Sequence, residues 1–243
     1  MNKKSILLII VVVFSLVFTL IASAEINLKT PAWQKAQELG KKGSYTFLFV
    51  GNEQADEGKI MLATLREIVG RKAALVKIAP ADPREQELVN SFRVKVSPTV
   101  IVVAPNGAIT GYFTKTADKR ALSGSLVSLK EAEALKILQE GRAVFLCFQK
   151  ETSLNIDTIK ADLNAVADNF KGSVSVLYVD NDDREAKDLI NKMQLKSATP
   201  TVFILIPPGR AAAKLAGSDI TKENLMRAFV SSCGGGSCGS GCK

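Results

Sequence analysis

The 243 residues contain no histidine, and that absence removes much enzyme chemistry before any motif is sought. Ser-His-Asp and Cys-His nucleophilic pairs, zinc sites of the HExxH type and imidazole proton shuttles all need a ring that is missing. A metal bound here must sit on sulfur or oxygen. Neither GxxxxGK[ST] nor GxGxxG follows an apolar run, so nothing cradles a phosphate and no nucleotide cofactor is expected. Aromatic residues other than Phe are scarce, with three Tyr and one Trp. The four cysteines all lie at or after Cys147.

What is present is an ordinary globular composition, 47% hydrophobic and 23% charged, which excludes wholesale disorder. The net charge of +8 comes from Lys and Arg spread along the chain, not gathered in one block. With few stacking groups beside them, these charges read as a solvated, mildly cationic surface, and nucleic acid is not an expected partner.

The first segment reads as an export leader. Asn2-Lys3-Lys4 gives a positive start, Ile6 to Ile21 is nearly unbroken apolar sequence, and Ala22-Ser23-Ala24 has the small-x-small form of a cleavage site. The alternative is an uncleaved N-terminal anchor, because the run is only slightly shorter than a bilayer span. Either reading places the rest of the chain outside the cytoplasm, periplasmic or secreted, where disulfides are permitted. Contact with a membrane is expected only if the leader stays attached.

Beyond the leader the chain is one unit written twice. Asp82-Pro83-Arg84-Glu85 leads into Leu88, Val89 and Phe92, then Lys95 and Ser97-Pro98-Thr99-Val100; one hundred residues on, Asp182-Asp183-Arg184-Glu185 leads into Leu189, Ile190 and Met193, then Lys196 and Thr199-Pro200-Thr201-Val202. Around these anchors the periodicity predicts a helix from Thr30-Pro31, strand 45–50, helix 56–69, strand 73–78, helix 83–92, strand 99–103, a turn at Asn106-Gly107, strand 109–113 and helix 119–127. The second copy predicts helix 129–139, strand 143–148, helix 156–170, strand 174–179, helix 184–193, strand 201–206, strand 212–215 and helix 222–230. Alternating strands and helices that end in a hairpin require a mixed sheet covered on both faces. The expected organisation is leader 1–24, domains 25–127 and 128–232, and a tail 233–243.

This element order resembles the thioredoxin fold, so the expected class is α/β, two tandem thioredoxin-like domains. Ser97-Pro98-Thr99 and Thr199-Pro200-Thr201 look like that family's cis-proline loop. The resemblance implies that Ser97, Pro98, Thr199 and Pro200 would face a bound peptide. The family's Cys-x-x-Cys belongs at the start of the helix after the first central strand, where the helix dipole lowers a thiol's pKa. Ala55-Asp56-Glu57-Gly58 stands there in the first copy, followed by a Lys59 that resembles the family's lysine, and Thr152-Ser153-Leu154-Asn155 stands there in the second. Neither place has sulfur, so neither domain is expected to run dithiol exchange at the usual site. Cys147 falls inside an apolar strand and reads as a small buried hydrophobe. Glu53, Asp56, Glu57, Asp182 and Asp183 read as helix-start acids, not as catalytic carboxylates.

The remaining sulfur is at the end: Cys233, Cys238 and Cys242 lie in a stretch otherwise made of Gly and Ser up to Lys243. Such a stretch buries no apolar area, and its glycines let the chain turn back on itself. Cys233, Cys238 and Cys242 are therefore the candidate catalytic residues for thiol-disulfide exchange, and equally the candidate ligands of a thiophilic metal ion. A disulfide that staples the terminus is the structural alternative. Arg227 and Lys243 would lower these thiols' pKa only slightly, since exposed charges are screened. Two function classes stay open at this point. One is an exported scaffold whose tail relays thiols to, or carries metal for, a client protein; the other is a noncatalytic peptide-binding module like the inactive domains of protein disulfide isomerases.

Overall fold

The computed structural model describes residues 28–70, 72–150, 152–153, 155–195 and 199–233. The leader, Cys238 and Cys242 fall outside the described residues. The chain divides into two compact units that meet in sequence between Val127 and Ser128, and each is described by itself.

In the first unit, α1 (Pro31–Lys41) begins where Thr30 Oγ1 accepts a hydrogen bond from the Trp33 amide at 3.4 Å and Pro31 opens the helix. Proline suits that position because its missing N–H would have had no partner within the helix. Ala32, Trp33, Ala36 and Gly40 form the buried stripe of α1. Strand β1 (Tyr45–Val50) is buried at every position, as a central strand covered on both faces must be. Then come α2 (Asp56–Ile68), β2 (Ala73–Ile78), a single 3-10 turn (Pro83–Glu85), α3 (Gln86–Ser91), β3 (Thr99–Val103), β4 (Ile109–Thr114) and α4 (Lys119–Gly124). The sheet order is β2-β1-β3-β4. Strands β1 and β2 run parallel, while β3 is antiparallel to both β1 and β4. The β3–β4 hairpin turns at Gly107, whose φ of 83° is one that glycine adopts without strain.

The second unit repeats the plan with α5 (Leu129–Gln139), β5 (Ala143–Gln149), α6 (Ile156–Asn169), β6 (Val174–Asp180), α7 (Lys187–Lys192), β7 (Thr201–Ile206), β8 (Arg210–Ala216) and α8 (Lys222–Cys233). Its sheet order is β6-β5-β7-β8. Alternation along β5 divides the core in two. Val144, Leu146 and Phe148 pack with Ile137 and Leu138 of α5 and Leu189 of α7; Phe145 and Cys147 pack with Leu163 of α6 and Leu225 and Phe229 of α8. Edge-to-face ring pairs finish both layers, Phe148–Phe203 at 5.8 Å and Phe145–Phe229 at 5.7 Å. The expected class, α/β with a mixed sheet covered on both faces in each of two units, is what is found.

Several boundaries move for local reasons. The helix expected over 83–92 is a 3-10 turn followed by a short α3, because Asp82 accepts from the Arg84 amide at 3.0 Å and winds the start tightly. In the second copy α7 begins at Lys187, not Arg184, after a turn in which the Ala186 amide reaches Asp183 O. Helix α8 runs three residues beyond Val230 to Cys233, and Ser232 Oγ donates back to Ala228 O at 2.7 Å.

The duplicated acidic motif has diverged in use. Glu85 is buried, and its Oε1 accepts from the Ala32 amide at 2.8 Å, so it caps the start of α1 from 53 residues away. Glu185, its counterpart, is exposed. The buried carboxylate of the second unit is instead Glu131, which takes Lys192 Nζ on both oxygens at 2.9 and 3.0 Å. Burial pushes the Glu131 carboxyl above its ordinary range, against the pull of Lys192.

Candidate functional site

The loop after β1 is built by hydrogen bonds, not by a helix cap. Asn52 Oδ1 accepts from the Gln54 amide at 2.9 Å, and Asn52 O accepts from the Ala55 amide at 3.3 Å. Ala55 takes the cap position with no side-chain bond, and Asp56, Glu57 and Gly58 form the first turn of α2. Two glycines fix how tightly this loop packs. A Cβ on Gly58 would lie 2.0 Å from Asn52 O, and one on Gly51 would lie 2.9 Å from the Phe49 ring and 3.1 Å from Pro98 Cβ. Gly58 therefore excludes every side chain, a cysteine's included, unless the Asn52 turn moves. Gly51 lets the strand end run against Pro98.

Pro98 is buried beside this loop, the Ser97–Pro98 peptide is cis, and Ser97 is exposed. The proline carbonyl is already used, accepting from the Lys115 amide at 2.8 Å, and Thr99 Oγ1 donates to Val96 O at 2.6 Å. Among the described residues no hydrogen bond involves Ser97. The nearby charges pair with one another: Lys77 with Glu53 at 2.6 Å and Lys59 with Asp56 at 3.7 Å. Glu53, read in the sequence as a helix-start acid, is thus the partner of a strand lysine.

Strand order β2-β1-β3-β4, a helix entering from the end of β1 and a cis-proline loop leading into β3 meet at one place. Both units have the thioredoxin-like fold. In the second thioredoxin-like unit the corresponding corner differs in detail. Pro200 is buried and its carbonyl accepts from the Gly217 amide at 2.9 Å, as Pro98 does from Lys115. Thr199 is exposed, but its carbonyl accepts from Thr201 Oγ1 at 3.1 Å. Among the described residues the cis bonds are Ser97–Pro98 and Pro207–Pro208, not Thr199–Pro200. The loop after β5 is closed by a reciprocal pair, Lys150 N to Ser153 Oγ at 3.2 Å and Ser153 N to Lys150 O at 3.0 Å, with Lys150 Nζ on Asp182 at 2.7 Å.

Among the described residues the cysteine buried in a core is Cys147. It is fully buried, with Sγ 3.7 Å from Gln149 Oε1, and burial pushes its thiol up to about 12, only partly offset by the positive charge of Lys160. A thiol so placed is neutral and without nucleophilic force at neutral pH. Of the sequence-predicted tail residues, Cys233 ends α8, and Cys238 and Cys242 lie outside the described residues. Among the described residues no three His, Cys, Asp or Glu side chains converge as a metal site would require. No described helix is long and apolar enough to cross a membrane.

Sequence reasoning missed the steric role of Gly58. An Ala-Asp-Glu-Gly string shows that the thiols are missing, but not that the Asn52 carbonyl has closed over the place at position 58. The capping box Ser128-x-x-Glu131 was available as a signal for the start of α5, whereas the partner of Glu131, 61 residues away, was not.

No family model matches the chain, and no curated protein matches it. Solved structures similar to it include human ERp44, at 10% identity and TM-score 0.34 over 88% of this chain and 56% of that one. The N-terminal domain of alkylhydroperoxide reductase AhpF from Enterococcus faecalis is similar at 18% identity and TM-score 0.30, over 81% of this chain and 96% of that one. The first two thioredoxin domains of Saccharomyces cerevisiae Eps1p are similar at 10% identity and TM-score 0.28, over 84% of this chain and 97% of that one. The chain spans just over half the length of the ERp44 chain.

Proposed function

We propose that this is an exported thioredoxin-like protein whose folded body holds but does not react, and whose sulfur chemistry belongs to Cys233, Cys238 and Cys242. The observation that supports it is the state of the body's own thiol: Cys147 is sealed in the second core with its proton held to about pH 12. In the first unit a side chain at position 58, one of the two places where the fold would carry a thiol, would meet Asn52 O at 2.0 Å. Accessible thiolate chemistry then falls to the tail, as exchange with a client's thiols or as coordination of a thiophilic ion.

Three sulfurs separated only by Gly and Ser can reach one another or a common ion without bending a rigid element. In exchange, a tail thiolate attacks a client disulfide, forms a mixed disulfide and expels the client's second sulfur as thiolate. A second tail thiolate then releases the client thiol and leaves a tail disulfide, so two electrons pass from tail to client.

A second reading is favoured by Ser97, which is exposed beside a buried cis proline and makes no hydrogen bond among the described residues. That corner can offer its backbone to an extended peptide, with the body acting as a noncatalytic holder and the tail as an attachment element.

Insulin reduction in the presence of dithiothreitol, together with metal content after anaerobic purification, separates the two. The wild type is compared with a variant in which Cys233, Cys238 and Cys242 are Ser. Loss of turnover or of bound metal in the variant supports the tail reading, and equal behaviour in both assays leaves the holder reading in its place.

A further inference from the structure

The duplication sets one proline corner beside another built to the same plan. Each is locked by one backbone bond, Lys115 N to Pro98 O at 2.8 Å in the first unit and Gly217 N to Pro200 O at 2.9 Å in the second. The donor has a positive φ in both, 64° at Lys115 and 59° at Gly217. Glycine takes that conformation freely, whereas a residue with a Cβ takes it at a cost. In the first unit Thr116 N also returns to Thr114 O at 2.8 Å, which makes Lys115 the centre of a three-residue turn. Glycine would do the backbone's work alone, so the lysine is accounted for by its side chain.

The same comparison holds at the other end of the loop. Arg93 (φ 48°) closes the end of α3 with Val94 N on Val89 O, and Gln194 (φ 51°) closes the end of α7 with Leu195 N on Ile190 O. The first unit thus has a cation where the second has a neutral side chain. Lys95 stands between Arg93 and Ser97, a stretch of chain that reaches at most about 14 Å.

Arg93, Lys95, Ser97 and Lys115 are all exposed, and none of the three cations joins an ion pair among the described residues. The acids nearby are mostly engaged. Lys77 takes Glu53, Lys59 takes Asp56, and Asp118 Oδ1 accepts from the Ala121 amide at 2.7 Å. Glu57 is left exposed in the first turn of α2, one free acid against three free cations.

We propose that the first-unit corner takes an acidic, extended segment of a client: the peptide lies along Ser97, and its carboxylates meet Arg93, Lys95 and Lys115. This rests on the holder reading above and names its ligand. Backbone pairing is indifferent to side chains, so the cations supply the selection. The second corner lacks the device, since Thr199 O is engaged by Thr201 Oγ1 and glycine stands in the place of Lys115.

The test is fluorescence anisotropy of unstructured peptides of equal length with an uncharged dye, titrated with the full chain: one rich in Asp and Glu, one neutral and one rich in Lys. All lack cysteine, so none forms a mixed disulfide with the tail. Three exposed pairs, each worth roughly a factor of 1.5 to 5, make the acidic peptide bind on the order of tenfold tighter than the neutral one at low salt. Added salt shrinks the difference. Lys115→Gly weakens the acidic peptide about two- to fivefold and leaves the neutral one unchanged; its melt stays near wild type, since glycine fits that φ. Arg93→Gln acts in the same way. Lys72→Gln removes an exposed charge at the opposite end of the sheet and changes neither peptide. Equal binding of all three peptides overturns the charge selection and leaves the holder reading standing. Binding of none removes the holder reading itself, and the selection with it. A Lys72→Gln loss as large as that of Lys115→Gly also overturns the proposal, because the charge would then act from the whole surface.

Discussion

Replacing Gly58 by Ala sets two effects against each other, and the structure decides the sign. On helix propensity alone the change stabilises α2 by about 1 kcal/mol. The added Cβ, however, would sit 2.0 Å from Asn52 O and 3.1 Å from Asn52 C. Relieving that overlap takes a shift of more than about one ångström in a backbone oxygen to reach ordinary contact. The oxygen belongs to a turn held by Ala55 N on Asn52 O at 3.3 Å and Gln54 N on Asn52 Oδ1 at 2.9 Å. Overpacking costs roughly 1–3 kcal/mol and a lost hydrogen bond about 1 kcal/mol. The net expectation is a first unit destabilised by about 1–3 kcal/mol, which lowers its midpoint by roughly 4–8 °C per kcal/mol. The chain's one tryptophan, Trp33, is buried in that unit, so its fluorescence during urea and thermal unfolding reports the right element. A Gly58→Ala protein that is as stable as the wild type, or more so, would refute the packing argument. The same reasoning predicts that installing Cys at both position 55 and position 58 fails to create insulin-reducing activity.

Other consequences follow from the buried groups. Cys147 keeps its proton in the fold to about 12 and releases it near 9.0 when unfolded, so stability falls as pH rises from about 9 toward 12, by up to about 1.4 kcal/mol per pH unit; Cys147→Ala removes that part of the alkaline slope, as denaturant titrations at several pH values would show. Lys192→Met strands the Glu131 carboxylate in its buried setting and costs roughly 1–3 kcal/mol at neutral pH. Because burial already raises that carboxyl, the cost shrinks as pH falls and Glu131 takes up its proton; a cost that grows in acid would contradict the assignment. Phe145→Ala opens the layer shared with Phe229 and destabilises the second unit by about 3–5 kcal/mol, measured by the same unfolding titrations.

Much of this fold was legible because the signals are local. Strands β1, β2, β3 and β7 have the residues that their short apolar runs predict, and Thr30-Pro31 and Asn106-Gly107 mark a helix start and a hairpin as their chemistry requires. The duplication made the topology readable, since the same order had to close twice. What was not legible is what depends on distant partners. Nothing in Asp-Pro-Arg-Glu says that Glu85 turns inward to cap α1 while its counterpart Glu185 stays in solvent. The two proline loops read alike in sequence, yet the cis peptide is at Ser97–Pro98 in one unit and at Pro207–Pro208 in the other. The absence of thiols at Ala55 and Gly58 was plain, but the closure of the Gly58 position by Asn52 appears only when the loop is folded.

The most direct measurement is residue-resolved alkylation of native protein taken from its own compartment, read by mass spectrometry with and without prior reduction. The account predicts that Cys233, Cys238 and Cys242 are found as disulfides, as adducts, bound to an ion, or rapidly labelled, while Cys147 is modified only after unfolding. Rapid labelling of Cys147 in the folded chain, with the three tail sulfurs bare and unreactive, would contradict it.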